Sequence, residues 1–475
     1  MQLFLKLLVF FGIAIRFVLQ FFVPCFNVDE MALGSNIFNK SFTQLLYPLD
    51  CYQSAPPLFL WTQKLFITYL PFPFWINIKV LSFFVSATSV FLFYKLVAKK
   101  NDFLSVLLLV LFVFNPYLIY NSLTVKQYTF DLLGVLIVLN FYQNRFFLKY
   151  CAVFFAIWCL FSNIGLFGTA AFLIFLFLEN KISFQFSAVF DFIKQHVALI
   201  FSPIVYLIYF AWFMNQTGAN ELQSYMTNYW STSFLPLNKS VFNYLLYLLH
   251  EFWLLFCNAV SVVGLVMFLI SSFGIYYLFK KKHTIFRAEL TFLFILLAVH
   301  LSFNVCHLYP FSDRLCLYLA PFFILLFGFS IHSVLENASF KRFKNKILIG
   351  FATINVVCFM FYFPYKENDV VSVFSEIKHI KSKNQQVFAT EKAFGVINNF
   401  EKFTQNYFNK SRNIQIQSCK ILPTKNALLI SRVHRKIGPN HKSAAEEIII
   451  QKALQTKQIV LISRMDGYNL YRKIK

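Results

Sequence analysis

The chain has 475 residues, of which 58% are hydrophobic and only 13% charged, with 66 phenylalanines. Soluble domains average about 45–50% apolar and about 25% charged residues, so this composition excludes an ordinary water-soluble protein and points to an integral membrane one. The formal charge of +23 is uneven: residues 365–475 hold 20 Lys and Arg against 8 Asp and Glu, a net +12, which suits either a solvated basic surface or contact with anionic headgroups.

About 30 Å of hydrocarbon needs roughly 20 apolar residues, and such runs recur as far as residue 364. They predict about 11 transmembrane helices, at 3–24, 75–95, 103–121, 127–143, 149–162, 164–179, 197–213, 254–279, 288–305, 315–334 and 346–364. The first is long, carries Arg16 and lacks a small-residue cleavage site, so it reads as a span and not as a removable signal. Arg16 either meets a carboxylate of another span or leans toward an interface. The loop that follows holds two amphipathic stretches, "EMALGSNIFNKSFTQLL" and "PPLFLWTQKLFITYL", joined by "YPLDCYQSAP". Each is too short and mixed to span, so both read as interfacial helices. The fifth and sixth spans are short segments folded at "FSNIG", and the loop after the seventh, "MNQTGANELQSYMTNYWSTSFLPLNKS", is long and aromatic.

Residues 365–475 read as a small α/β domain: "VVSVFSEIKHIKS" and "SAAEEIIIQKAL" have helical periodicity, and "QQVFAT", "NALLISRV" and "QIVLIS" are strand-like. Lys and Arg concentrate in one set of loops (Lys95, Lys99, Lys100; Arg145, Lys149; Lys181, Lys194; Lys280, Lys281, Lys282, Arg287; Lys341, Arg342, Lys344, Lys346). The other set has Lys40, Lys64, Lys126, Lys239 and Arg314. Positive loops stay inside, which puts the amino terminus in the cytoplasm and both Asp29 and the carboxy-terminal domain outside. Nine scattered cysteines, none in a CxxC pair, indicate neither a zinc site nor a disulfide framework; a Cys25–Cys51 pair across the first loop stays open. The Lys-, Asn- and Phe-rich composition fits an AT-rich bacterial genome and a plasma (inner) membrane.

Polar groups collect at the outer ends of spans. They are Asp29 and Glu30; Gln53 before "SAPP"; Lys126, Gln127, Tyr128 and Asp131 in "SLTVKQYTFD"; and His307, Tyr309, Asp313 and Arg314 in "CHLYPFSDR". A carboxylate in a water-poor site can act as a general base, and cations at headgroup depth suit a lipid-borne phosphate. Acid, base and interfacial roof together suggest transfer from a lipid-phosphate donor. Structural roles compete: Asp29 and Glu30 can cap a helix, Lys126 and Asp131 can pair, Arg314 can snorkel, and Pro56 and Pro57 can simply start a helix. No glycine-rich phosphate loop, HExxH, GxSxG or nucleic-acid module is present. The alternative function is a polytopic transporter or lipid flippase, for which paired repeats and mid-membrane ionisable groups are expected; a catalytically inert scaffold is a third.

The "DE" pair after span one, the "PP" helix start, "KQYxxD" entering span four and "YPFxDR" before a late span together resemble a GT-C glycosyltransferase of the glycosyltransferase family 39 type. Protein O-mannosyltransferases and lipid A aminoarabinose transferases are related groups. The resemblance covers residues 1–364, and the order of the motifs is more specific than any one of them. It implies a GT-C fold and an inverting transfer of a hexose or pentose from a polyprenyl-phosphate donor to a lipid, glycan or protein acceptor. It further implies that Asp29 is the catalytic carboxylate with Glu30 in support, and that Lys126 and Arg314 hold the donor phosphate. Gln53, Gln127, Tyr128, Asp131, His307 and Tyr309 would contact substrate. Aminoarabinose transferases carry a lysine just before the corresponding proline, where this chain has Ser54 and Ala55, so Lys64 or Lys126 would meet that phosphate instead. A divalent metal bridging Asp29 or Glu30 to phosphate is chemically reasonable, with no ligand set visible.

Overall fold

The computed structural model describes residues 1–22, 28–72, 74–98, 103–183, 185–235, 240, 242–250, 271, 286–335, 343–362, 377, 386–390, 416–419, 427–432, 450, 452–465 and 468–473. The chain divides into two compact units, one of Met1–Gln20, Ser41–Leu65 and Lys79–Phe363, the other of Phe21–Lys40, Phe66–Ile78 and Pro364–Lys475.

The helices follow the apolar runs closely: α1 (Gln2–Phe22), α4 (Phe74–Val97), α7 (Tyr128–Phe141), α8 (Arg145–Phe161), α9 (Ile164–Glu179), and later Arg287–Val305, Ala320–Leu335 and Lys344–Tyr362. Among the described residues five helices are long and apolar enough to cross a membrane, or six if one bent pair counts as a single span. The expected span at 254–279 lies, apart from Ser271, outside the described residues. Exposed faces are apolar, as on α1, where Phe10 and Phe11 are 64% and 53% exposed; lipid solvates such a face.

The bent pair departs from the sequence expectation. Residues 103–121 read as one span, yet they form α5 (Phe103–Val113) and α6 (Pro116–Leu123), bent by 43°. The cause is local. Pro116 cannot donate inside a helix but suits a first turn, and Asn115 caps that turn by accepting the Leu118 N–H at 3.0 Å. Ending α5 here leaves the Val113 carbonyl unpaired along the helix, and the Arg16 guanidinium donates to it at 3.1 Å. The same guanidinium donates to Ser86 Oγ at 2.9 Å and to the Gly12 carbonyl at 3.1 Å. Arg16 is 1% exposed, so it neither leans to an interface nor spends these bonds on a carboxylate; it ties a helix break to α1 and α4. Gly12 permits the approach, because a Cβ there would lie 2.5 Å from Val113 Cγ1.

The "FSNIG" fold joins α8 and α9. Ser162 accepts the Ile164 N–H at 3.1 Å and donates to the Asp131 carboxylate on α7. The Trp158 indole fills the space between helices over Gly134 and Gly168, where a Cβ would lie 2.0 and 2.4 Å from its ring. The seventh span is interrupted at Ser202 and Pro203 between α11 (Val197–Phe201) and α12 (Ile204–Met214), and α10 (Phe186–Gln195), an amphipathic helix the sequence reading passes over, precedes it. The first amphipathic stretch is shorter than expected: α2 (Val28–Asn39) stops before a 3-10 turn at Gln44–Leu46. The second is α3 (Pro57–Tyr69), preceded by a 3-10 turn at Asp50–Tyr52, and the late aromatic loop forms α13 (Ala219–Tyr229). Cys51 is a free thiol, and Cys25, its candidate partner, lies outside the described residues.

The second unit carries a five-stranded sheet in the order β2-β1-β3-β5-β4, with β1 (Val387–Thr390), β2 (Ile416–Cys419), β3 (Leu428–Arg432), β4 (Ile459–Met465) and β5 (Tyr468–Lys473). β1 runs parallel to β2 and β3, and β5 is antiparallel to β3 and β4. β1, β3 and β4 lie on the three strand-like runs. "VVSVFSEIKHIKS" falls, apart from Ile377, outside the described residues.

Candidate active site

The site of the first unit is assembled by the segment that links α6 to α7. Thr124 is held where α6 ends, its hydroxyl on the Asn121 carbonyl at 2.8 Å and its own carbonyl accepting from Ser82 at 3.1 Å. Two residues on, Lys126 is 6% exposed, and its ammonium donates to Gln53 Oε1 at 2.7 Å. A charge-assisted bond of that length is among the stronger kinds, and it fastens the Asp50–Gln53 turn to the start of α7. Gln127 is also buried, and its Oε1 meets no hydrogen-bond partner among the described residues. Burial without a bond is costly for an amide, so this oxygen is a polar group held ready for a donor. Tyr128 then presents its ring to Arg314, whose guanidinium carbon lies 5.8 Å from the ring centroid and 5.8 Å from that of Trp230. Aromatic rings hold a guanidinium by its faces.

Arg314 is carried by the 3-10 helix Asp313–Leu319, and its approach is fixed by one buried amide and one imidazole. Asn304, fully buried, accepts from the Leu235 N–H at 3.0 Å and donates to the carbonyls of Ser233 at 2.8 Å and Tyr309 at 3.2 Å. The Phe311 N–H reaches the same Ser233 carbonyl at 3.0 Å. His300 donates from Nε2 to the Pro310 carbonyl at 3.1 Å and accepts at Nδ1 from the Tyr318 hydroxyl. The two loops, 230–235 and 309–314, are thereby sewn together.

Of the other sequence candidates, Tyr309 is half-buried in this loop, and burial with the added charge of Asp131 pushes its phenol well above its usual range. Asp131, 1% exposed, receives the Ser162 hydroxyl. His307 is exposed, in a left-handed conformation at φ 56°, with its ring stacked on Phe234 at 5.0 Å. Lys64 is half-buried on α3, and burial pushes its ammonium down. Asp29 and Glu30 belong to the second unit and form the first turn of α2, with Glu30 4% exposed; acidic groups there also stabilise a helix amino terminus. Among the described residues no three His, Cys, Asp or Glu side chains gather to hold a metal.

Beside Gln53 lies a cavity of about 80 Å³, whose walls include Ser54, Pro56, Asn163, Tyr206 and Tyr209. Its polar wall is ordered by Tyr206, which donates to Asn163 at 2.8 Å, and by Tyr209, which donates to the Leu46 carbonyl at 3.3 Å. Ligand pockets run from roughly 300 Å³ upward; this one takes a phosphate-sized group and must widen for a sugar. Sequence reasoning missed Trp230, Asn304 and His300. The last two had a signal, since polar residues inside an apolar span are costly and tend to be functional.

No known protein-family profile matches the sequence, and no curated protein is similar to it. Crystal structures of ArnT from Cupriavidus metallidurans match in fold, one bound to undecaprenyl phosphate at TM-score 0.50 and 8% identity, one in the apo state at 0.51 and 10%. Each match covers 98% of this chain and 97% of ArnT. At such identity the likeness shows the fold alone, the fold seen in ArnT.

Proposed function

We propose that this protein is a membrane glycosyltransferase that moves a sugar from a polyprenyl-phosphate-linked donor to an acceptor on the extracytoplasmic face. The observation that carries this reading is the fold likeness to ArnT along nearly the whole chain, in a structure where ArnT is bound to undecaprenyl phosphate. Lys126 and Arg314 support it, the Arg314 guanidinium lying over the ring of Tyr128, two residues after Lys126. In the full reading the protein has about 11 spans in a bacterial inner membrane, a transmembrane catalytic domain over residues 1–364 and an extracytoplasmic α/β domain over 365–475.

The acceptor hydroxyl attacks the anomeric carbon from the side opposite the phosphate. Its new C–O bond forms as the bond to the phosphate oxygen breaks, and the lipid phosphate departs with that electron pair. Asp29 takes the hydroxyl proton, and Glu30 supports it. Lys126 and the Arg314 fork meet the charge that grows on the leaving phosphate; Gln127 offers an acceptor to the sugar.

The test compares the reconstituted native protein with Asp29→Asn, using labelled undecaprenyl-phosphate sugars and scoring free lipid phosphate. The expected result is release that falls by about 10²–10⁴-fold in the variant while undecaprenyl phosphate binding is kept. Equal release by both proteins returns Asp29 to capping α2. A native protein that binds no undecaprenyl phosphate ends the transferase reading.

A further inference from the structure

Away from the cavity beside Gln53, α13 lays Asn220, Glu221, Ser224, Tyr225 and Asn228 along one face, at the spacing that makes helix neighbours. These five residues and Tyr52 line a shallow open groove of about 480 Å³. The Tyr52 ring stacks on Tyr225 with centroids 4.3 Å apart and planes at 12°, yet the two residues remain 47% and 41% exposed.

Placing Tyr52 there is costly. Cys51 and Tyr52 are consecutive non-glycine residues with φ of 59° and 52°, a conformation that disfavours side chains and gathers at binding sites. Burial does not explain it, since the ring is delivered to the surface. The aromatic series continues inward: Tyr225 to Tyr229 at 6.0 Å, Tyr229 to Trp230 at 4.9 Å, and Trp230 to the Arg314 guanidinium at 5.8 Å. Three exposed tyrosine rings and the half-buried Trp230 therefore lead from the groove to the cation that the proposed function assigns to the donor phosphate.

The lining chemistry selects the occupant. Aromatic faces are flat, apolar and electron-rich, which suits the C–H face of a pyranose. Two amides, a hydroxyl and a carboxylate supply donors and acceptors for its hydroxyl groups. Glu221 is the one charged residue in the lining, so a phosphorylated or sulfated ligand meets repulsion and no cation. Glu221 also sits in the first turn of α13, where an acid favours the helix dipole; that role accounts for one member of the row and not for the amides, the hydroxyl or the paired rings. A protein partner would require roughly 1,000 Å² of complementary surface, far more than six residues around a shallow groove provide.

We propose that this groove docks a neutral carbohydrate, the glycan part of the acceptor, laid along Tyr52, Tyr225 and Tyr229 with its reacting end toward Arg314. The inference rests on the glycosyl-transfer reading and names its acceptor class.

The test uses the full chain in nanodiscs without donor lipid, applied to immobilised neutral oligosaccharides (glucans, galactans, mannans and N-acetylhexosamine oligomers) and to sulfated and phosphorylated ones. Neutral glycans are expected to bind, with at least a tenfold loss in Tyr52→Ala and in Tyr225→Ala, and a change within twofold in Tyr225→Phe, which keeps the ring. Both alanine changes lie at exposed positions, and a thermal-unfolding midpoint equal to that of the native protein checks the fold. Binding of acidic glycans alone, of no glycan, or equal binding by Tyr225→Ala overturns the proposal. Undecaprenyl phosphate binding is measured on the same samples. If it persists where glycans fail, the docking site falls alone; if glycans bind and the lipid phosphate does not, the transferase reading falls instead.

Discussion

Replacing Trp230 by leucine removes one of the two rings over which Arg314 lies, each with its centroid 5.8 Å from the guanidinium carbon. Cation–π contacts contribute about 0.5–1 kcal/mol when exposed and about 2 kcal/mol when desolvated. Arg314 is half-buried, so one ring is worth about 1 kcal/mol. If the rings aim the N–H fork at the donor phosphate, Trp230→Leu weakens undecaprenyl phosphate binding roughly fivefold, at about 1.4 kcal/mol per factor of ten. Arg314→Gln removes charge-assisted hydrogen bonds worth about 1.5–3 kcal/mol and should weaken it from about tenfold to somewhat above a hundredfold. In the double variant the ring has no cation to orient, so the losses should fall short of additivity by about 1 kcal/mol. Thermal-shift titration in nanodiscs reads the four affinities through the stabilisation that ligand confers on the folded state. Losses that add to within about 0.3 kcal/mol, or native affinity in Arg314→Gln, refute the argument.

Gln53→Leu deletes the 2.7 Å bond from Lys126, worth about 1.5–3 kcal/mol; hydrogen exchange over residues 44–56 should speed up, whereas Gln53→Glu, which keeps an acceptor, should leave it slow. Gly168→Ala drives a Cβ to 2.4 Å from the Trp158 ring, and the overpacking should cost about 1–3 kcal/mol in thermal unfolding; an unchanged midpoint would mean that the indole is free to move. Asn304→Leu strips the partner from the Leu235 N–H and from the Tyr309 carbonyl, and leaves the Ser233 carbonyl with the Phe311 N–H alone. At about 1–3 kcal/mol for a buried group left unpaired, it should destabilise more than Gln53→Leu, and protease sensitivity should appear in 230–235 and 309–314 together.

Much of the architecture is legible in the sequence because it is written within short windows. An apolar run of sufficient length must become a helix in lipid, where nothing else satisfies its backbone, so α1, α4 and the Arg287–Val305 helix lie where the pattern puts them. The α5–α6 break was local as well, in "FNPY", but a hydropathy window averages over one Asn-Pro pair. Strand positions at β1, β3 and β4 follow from short β-branched runs; β2 and β5 carry too many polar residues to announce themselves and depend on neighbours in the sheet.

The candidate site is a different matter. That "KQY" is a candidate was readable, since Lys, Gln and Tyr at a span end are conspicuous in so apolar a chain. What Lys126 would touch was not: Gln53 is 73 residues away in sequence, and nothing in either segment names the other. Ser162 meets Asp131 across 31 residues, and Asn304 reaches back 71 residues to Ser233. Hydrophobicity and helix propensity act along the chain and so are carried by the sequence alone; which side chains meet is decided when helices pack, because close-packed surfaces accept few arrangements. The membrane class and the positions of apolar helices such as α1, α4 and Arg287–Val305 were determined by composition and period, while the Lys126–Gln53 bond, the Arg314 rings and the Asn304 bridge exist only once the tertiary structure brings distant loops together.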